Sequence, residues 1–161
     1  MKKLVCASVV FLAVGSVAYG EELRETNISL ATATAIAQAG VEICEAKGYN
    51  VSVAVVDRAG VLRVQMRADK AGPHTIGAAQ AKAFTSASSR LPTSAMAKAV
   101  QENPGAAGLV DIPGFLVLAG GVPIKIGNDT IGAVGIGGAP GGNLDEACAT
   151  AALEKVKDRL K

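Results

Sequence analysis

The sequence predicts a single α+β domain in which helices cover the faces of a five-stranded antiparallel sheet. The chain has 161 residues, half of them apolar, and this length is typical of one domain. Strand-like segments follow one another across tight turns, which favours antiparallel pairing, and segments with a helical spacing of small apolar residues separate them. The predicted order of elements is α-ββ-αα-βββ-α, an α/β sandwich.

The first part of the chain predicts a helix followed by a hairpin. Ser29 is a suitable N-cap, and apolar residues recur at helical spacing from there to Gly48. Residues 51–56 are β-branched and apolar on both faces, which is typical of a central strand. Residues 62–67 alternate apolar and polar side chains, so this second strand is expected to have one packed and one polar face.

Two helices are predicted after the hairpin. An alanine-rich segment from His74 to Ser89 predicts the longer helix, and Pro92 separates it from a shorter helix that runs from Thr93 to about Glu102. The spacing of its apolar residues places four side chains on the packed stripe of the longer helix: Ile76, Ala79, Ala83 and Ala87.

Three further strands and a last helix complete the predicted domain. The strands are expected over residues 115–118, 122–126 and 130–136, the last two joined by a hairpin turn. Asn143 is the predicted N-cap of the last helix, with Glu146 as its capping-box partner. No repeat or linker interrupts this order.

Residues 1–20 have the pattern of a secretory signal peptide. Two lysines precede an apolar run over residues 4–17, and small residues follow at Ala18 and Gly20. We expect cleavage near Gly20 to release a soluble domain, residues 21–161, into the periplasm or the medium. The alternative is that the segment forms a buried N-terminal strand.

The composition of the remaining chain argues against a nucleic-acid binder. Removing the two lysines of the leader from the 16 basic residues leaves 14, equal to the 14 acidic residues. Nucleic-acid affinity rests largely on clustered Lys and Arg, and this balance does not favour it. Beyond the leader the aromatic residues are Tyr49, Phe84 and Phe115, too few for a base-stacking platform.

Four segments together resemble the GlcG/HbpS-like family, also called the haem-degrading domain family, over residues 29–160. They are Val53 to Gly60, Lys82 to Thr85, Gly120 to Ile124, and Gly135 to Gly142 followed by Asp145 to Cys148. The resemblance implies a profilin-like sandwich, homo-oligomers, and the binding of haem or, in fewer cases, a corrinoid. It also implies that some secreted members influence a membrane sensor protein.

His74 is the only histidine and the candidate ligand of a haem iron. It lies in the first turn of a predicted helix, where the helix dipole disfavours the imidazolium form and leaves a neutral ring able to ligate a metal. The alternative is an exposed histidine with no ligand. A C-x-x-C-H motif is missing from the sequence, so covalent haem attachment is not expected.

Basic side chains and glycines are the other candidate binding residues. Arg67 and Lys82 are expected to contact the carboxylates of a haem or a small acid, with Arg67 in the same pocket as His74. Arg63 is better explained as part of a solvated strand face. The Gly-rich segment is expected to shape the pocket through Gly138, Gly141 and Gly142; the alternative for these glycines is a tight turn with close packing.

Cys44 and Cys148 are the only cysteines beyond the leader. Both lie on predicted inner faces of helices, and an even count in an exported protein favours a disulfide between them. The alternative is a pair of buried thiols that pack as small apolar groups. The family resemblance leads us to expect a cysteine at position 148 but not one at position 44.

Three functions remain open at this point. The favoured one is an exported haem- or tetrapyrrole-binding protein that captures haem, buffers it or presents it to a sensor. The second is an enzyme or accessory protein for a small hydroxy- or keto-acid, with His74 or Asp57 as the acid or base, although Asp57 suits a hairpin turn better. The third is a structural oligomer without a ligand. Whether the chain is an enzyme is left open.

Overall fold

The computed structural model of the protein describes residues 22–161, and the predicted signal peptide lies outside these residues. Within them, the α-helices are α1 (Leu30–Glu45), α2 (His74–Ser89), α3 (Thr93–Glu102) and α4 (Gly142–Lys155). The strands are β1 (Ser52–Asp57), β2 (Leu62–Arg67), β3 (Gly121–Ile126) and β4 (Asp129–Gly137). Short 3₁₀ helices cover Pro104–Asp111 and Lys157–Arg159. None of the helices described is both long and apolar enough to span a bilayer.

The strands form one antiparallel sheet in the order β2-β1-β4-β3. The central strand β1 pairs on both sides, so that Val55 lies between Val64 of β2 and Val134 of β4. Burial on both faces explains why residues 53–56 of β1 are all apolar, as the sequence predicts. The fold class, an α+β sandwich, is confirmed.

The prediction of a fifth strand over residues 115–118 is wrong. Four strands are present among residues 22–161, and the order of elements is α-ββ-αα-ββ-α. The Phe115 N–H donates to the Ile112 carbonyl, and the Leu116 N–H donates to the Thr85 hydroxyl at 2.8 Å. Because a turn and α2 take these donors, the segment runs as a loop beside α2 instead of pairing with the sheet.

One face of the sheet is covered by α1 and α4. Ser29 caps α1 as predicted, accepting a hydrogen bond from the Thr32 N–H at 3.2 Å. The helices pack on inward-facing aliphatic residues of the sheet, and the fully buried members of this core include Ile36, Val53, Val55, Ile124, Val134 and Ile136. This face holds the larger of the two cores.

The other face of the sheet carries α2. This second core consists only of small side chains: Ala54, Val56, Ala79, Ala83, Ala87 and Ala133. The prediction that Ile76 packs against the sheet is wrong, because its side chain is 38% exposed. Thr75 and Lys82 of the same helix, by contrast, are buried. Close approach of the helix favours small or hydrogen-bonded side chains over an isoleucine. Buried Lys82 also lines the candidate functional site.

Candidate functional site: a cleft between α2 and the start of α4

A cleft of about 450 Å³ lies where α2 meets the Gly-rich loop between β4 and α4. One wall comes from α2, and the loop before β3 supplies a second, largely apolar wall. The Gly-rich loop and the first turn of α4 supply the rest. The lining residues are His74, Ala78, Lys82, Leu116, Leu118, Ala119, residues 137–143 and Asp145.

His74 lies at the mouth of this cleft. It is the first residue of α2, it is exposed, and its imidazole ring rests against the backbone of Gly72. Ala78 and Lys82 follow at intervals of four residues and therefore share its side of the helix. The structure thus brings His74, Lys82 and the Gly-rich loop together at one cleft.

Lys82 forms a buried ion pair at the base of the cleft. Its Nζ lies 2.8 Å from Asp145 Oδ2 and 3.0 Å from the Ile136 carbonyl oxygen. The two side chains are 5% and 3% exposed. The predicted role of Lys82 as a contact for a ligand carboxylate therefore competes with a partner already in place.

Asp145 is the functional candidate that the sequence analysis missed. Its second oxygen, Oδ1, accepts a hydrogen bond from the Ala139 N–H at 2.9 Å, so one carboxylate joins α2 to the Gly-rich loop. A lysine among the buried alanines of α2 needs a counter-charge, and Asp145 belongs to the last of the segments that carry the family resemblance. These two signals together could have identified the pair.

Glu146, the next residue, binds the loop before β3, which forms another wall of the cleft. Its carboxylate accepts hydrogen bonds from the backbone N–H groups of Ser94 and Gly120, each at 3.2 Å, and from the Ser94 hydroxyl. The predicted capping box is wrong, because α4 begins at Gly142, after Gly141, and Glu146 turns away to these partners. The carboxylate fixes the loop before β3.

The three predicted glycines line the cleft and also meet neighbouring backbone. A β-carbon on Gly138 would lie 2.6 Å from the Asn50 carbonyl oxygen, and Gly138 has φ of +132°. On Gly142 it would lie 2.6 Å from the Ala119 carbonyl oxygen. Gly141 lies beside the Asn143 side chain. Tight packing and cleft lining therefore coincide at Gly138 and Gly142.

The two arginines of β2 lie away from the cleft. Arg67, expected beside His74, is exposed and does not line it; its Nε donates to the Ala71 carbonyl at 2.9 Å. Arg63 is exposed on the same edge strand. Asp57 accepts hydrogen bonds through Oδ1 from the Ala59 and Val61 N–H groups, so it forms the hairpin turn.

Cys44 of α1 and Cys148 of α4 form a disulfide in the structure. Their Cα atoms are 5.7 Å apart, which suits a disulfide, and both residues are fully buried. The bond joins α1 to α4, the two helices that cover the face of the sheet opposite α2.

The electrostatics of the cleft favour a neutral or anionic ligand. The Lys82–Asp145 pair has no net charge, and the N-termini of α2 and α4 both open at the cleft. Pro73 and Gly141 precede these helices without a capping side chain, so the positive ends of both dipoles stay available.

The residues at the cleft fit a haem. Leu116, Leu118 and Ala78 offer apolar contacts, and the His74 imidazole is the side chain that would hold an iron. Residues 22–161 contain no group of three or more His, Cys, Asp or Glu side chains placed to hold a metal ion. Fold and cleft together define a small α+β sandwich domain with an open cleft beside α2.

Comparison with known proteins identifies the family. The model of the family described as haem degrading protein HbpS-like matches residues 28–154, and the chain belongs to this family. Protein GlcG of Escherichia coli K12 is 36% identical over 109 residues, which are 68% of this chain and 80% of GlcG.

Solved structures agree with this family. A double mutant of HbpS from Streptomyces reticuli has 43% sequence identity and a TM-score of 0.79, covering 89% of this chain and 97% of HbpS. PduOC, solved as a complex with haem, has a TM-score of 0.73 at 24% identity, covering 80% of this chain and 94% of PduOC. At this identity, the likeness to PduOC concerns the fold alone.

Proposed function

We propose that this protein is an exported haem-binding protein, which captures haem, buffers it or presents it to a membrane sensor. Membership of the HbpS-like family supports haem as the ligand. The observation that carries the proposal is the cleft itself, in which the only histidine lies beside an apolar wall and the family's Gly-rich segment. A chain of the same fold has been solved with haem.

Each residue of the cleft has a distinct part in this proposal. The His74 imidazole would hold the iron, which supplies the redox and ligand-binding chemistry of a haem. Leu116 and Leu118 would cover the porphyrin edge and exclude water. The N-terminus of α4, which no side chain caps, would face a propionate. Lys82 stays bound to Asp145, and Arg67 takes no part because it lies outside the cleft.

A haemin titration of the exported protein, followed in the Soret region, tests the proposal. We expect saturable binding with one haem per chain, and H74A should shift the Soret band and weaken binding about tenfold, a loss of roughly 1.4 kcal/mol. Q80A, an exposed change elsewhere on α2, is the matched control and should bind like the wild type. Failure of the wild type to saturate would reject haem as the ligand.

Other ligands are distinguished by their effect on thermal stability. A thermal-shift panel should include a corrinoid and several small hydroxy- and keto-acids. Stabilisation by the acids alone would replace haem with that ligand class. The absence of any shift would favour a structural role without a ligand.

Export and self-association belong to the same proposal. The leader pattern of residues 1–20 supports export, and mass spectrometry of the secreted protein should find Glu21 as the first residue. We propose a homo-oligomer as well, since exposed aliphatic residues such as Val61, Leu62 and Ile112 remain on the surface described. Light scattering of the purified protein should then give at least twice the mass that mass spectrometry finds for one chain.

A further inference from the structure

The Lys82–Asp145 ion pair has a geometry that links three parts of the cleft. Lys82 belongs to α2, and its Nζ also donates to the Ile136 carbonyl near the end of β4. Asp145 belongs to the first turn of α4 and accepts from the Ala139 N–H of the Gly-rich loop. One buried pair therefore holds the helix, the strand end and the loop at fixed distances from one another.

Stability alone does not call for charges at this position. A buried ion pair loses its hydration, and apolar side chains of similar volume are often as stable or more so. An ion pair adds directional hydrogen bonds, because each oxygen of Asp145 accepts from one particular donor. Those donors are Lys82 Nζ at 2.8 Å and the Ala139 N–H at 2.9 Å, on opposite walls of the cleft.

The same contacts argue against Lys82 as a direct partner of a ligand carboxylate. The Asp145 carboxylate already balances the lysine charge, and both side chains are almost fully buried. An anionic ligand would have to compete with this contact or share it. The loop that the pair holds in place, by contrast, lines the cleft along residues 137–142 and would face a bound ligand.

We infer that Lys82 and Asp145 are positioning residues, which fix the loop of residues 137–142 in the shape that receives the ligand. The inference rests on the proposed function for the identity of the ligand, and it adds the device that shapes the site. Lys82 acts through Asp145 and Ala139. It does not bind the ligand itself.

The first test uses the ligand-free protein and therefore does not depend on haem. The double variant K82M/D145N removes both charges and leaves no buried charge unpaired. Amide hydrogen exchange should then be at least about tenfold faster across residues 137–143, with the exchange of β1 unchanged. K98M, which breaks the exposed pair with Glu102, is the matched control and should leave the exchange of both segments unchanged.

The second test separates positioning from direct contact. We expect K82M/D145N to weaken haemin about tenfold and to weaken haemin dimethyl ester, which has no free carboxylate, by the same factor. A loss confined to haemin, with loop exchange unchanged, would assign Lys82 to the ligand and overturn the inference. If the double variant does not fold, K82Q/D145N, which also removes both charges but keeps polar side chains at the two positions, is measured in the same two assays.

The two proposals fail in different ways. If wild-type protein does not bind haemin, the proposed function fails while the exchange experiment still decides the positioning role. If haemin binds and the loop of the variant exchanges at the wild-type rate, the positioning role fails while the proposed function stands.

Discussion

Gly135 of β4 lies directly beneath Ala79 of α2, so close that a β-carbon on the glycine would overlap the Ala79 carbonyl oxygen. The same β-carbon would lie 2.5 Å from the Ala83 nitrogen. The missing side chain lets the backbone of the helix approach the backbone of the strand. This contact sets the height of α2 above the sheet, and therefore the position of His74 and Lys82 in the cleft.

Replacing Gly135 by alanine should destabilise the protein strongly. Both atoms that the new methyl group would meet belong to the α2 backbone, so relief requires the whole helix to move, and we expect a loss of about 3 kcal/mol or more. Urea unfolding measures the difference. G77A is the matched control: Gly77 is exposed within α2 with open space around it, and alanine there should stabilise by roughly 0.5 to 1 kcal/mol. Equal midpoints for the two variants would contradict the close approach.

The hairpin turn should depend on one oxygen of Asp57. Since Oδ1 accepts from the Ala59 and Val61 N–H groups, each at 3.0 Å, D57A should lose roughly 1 to 2 kcal/mol of unfolding free energy. D57N keeps an acceptor of the same shape and should lose clearly less. Chemical denaturation of both variants checks this, and an equal loss for the two would show that the hydrogen bonds to Oδ1 are unimportant.

The sequence predicts most of the fold because local patterns decide it. The strand β1, the turn at Asp57 and the N-cap at Ser29 each depend on residues that are close to one another in the sequence. The fifth strand was predicted wrongly because a short apolar segment is compatible with a strand or a loop. A contact with Thr85, distant in sequence, decides between them.

The candidate site was predicted in part for the same reason. His74 and the Gly-rich segment are visible from helix-start chemistry and from the family motif, and the structure brings them to one cleft. The partner of Lys82 lies 63 positions away, so its identity depends on how α2 and α4 sit across the sheet. Arg67 was misplaced because the strand pattern fixes which face a residue occupies but not which loop it reaches.

In protein that lacks residues 1–20, Cys44 and Cys148 should contribute no free thiol. Thiol titration of the denatured, unreduced protein should find none, and a value of two would reject the disulfide. Removal of the bond in C44A/C148A should cost about 2 to 5 kcal/mol, the range typical of a native disulfide in a small exported domain. Addition of a reductant to the wild type should lower its melting temperature, while the double variant should not respond.

Glu42 should titrate below the ordinary range of a glutamate. The hydrogen bond from Lys155 Nζ, at 2.8 Å, lowers the pKa of Glu42, and hydrogen bonding from Gln38 and the charge of Lys155 add to this. A pKa lower in the folded than in the unfolded state contributes stability above the unfolded pKa, and that contribution is lost as the pH falls through the folded value. The effect on stability is small, because the carboxylate is exposed.

An NMR titration of the Glu42 side chain checks this prediction. K155M should move its midpoint up towards the ordinary value. K157M, which removes the partner of Glu154, is the matched control and should leave the midpoint unchanged. An unchanged midpoint in K155M would remove Lys155 as the cause.

The bond between Cys44 and Cys148 spans 104 positions and encloses all four strands, α2 and α3 in one covalent ring. A protease that cuts any single loop inside this ring opens it without releasing a fragment. The cut chain has the mass of the intact chain plus one water, because the disulfide still joins its two parts. On a denaturing gel it therefore runs as one molecule, and the two parts separate only when a thiol is added. In a compartment rich in proteases, the crosslink would let a clipped chain keep its sheet assembled and its cleft in place.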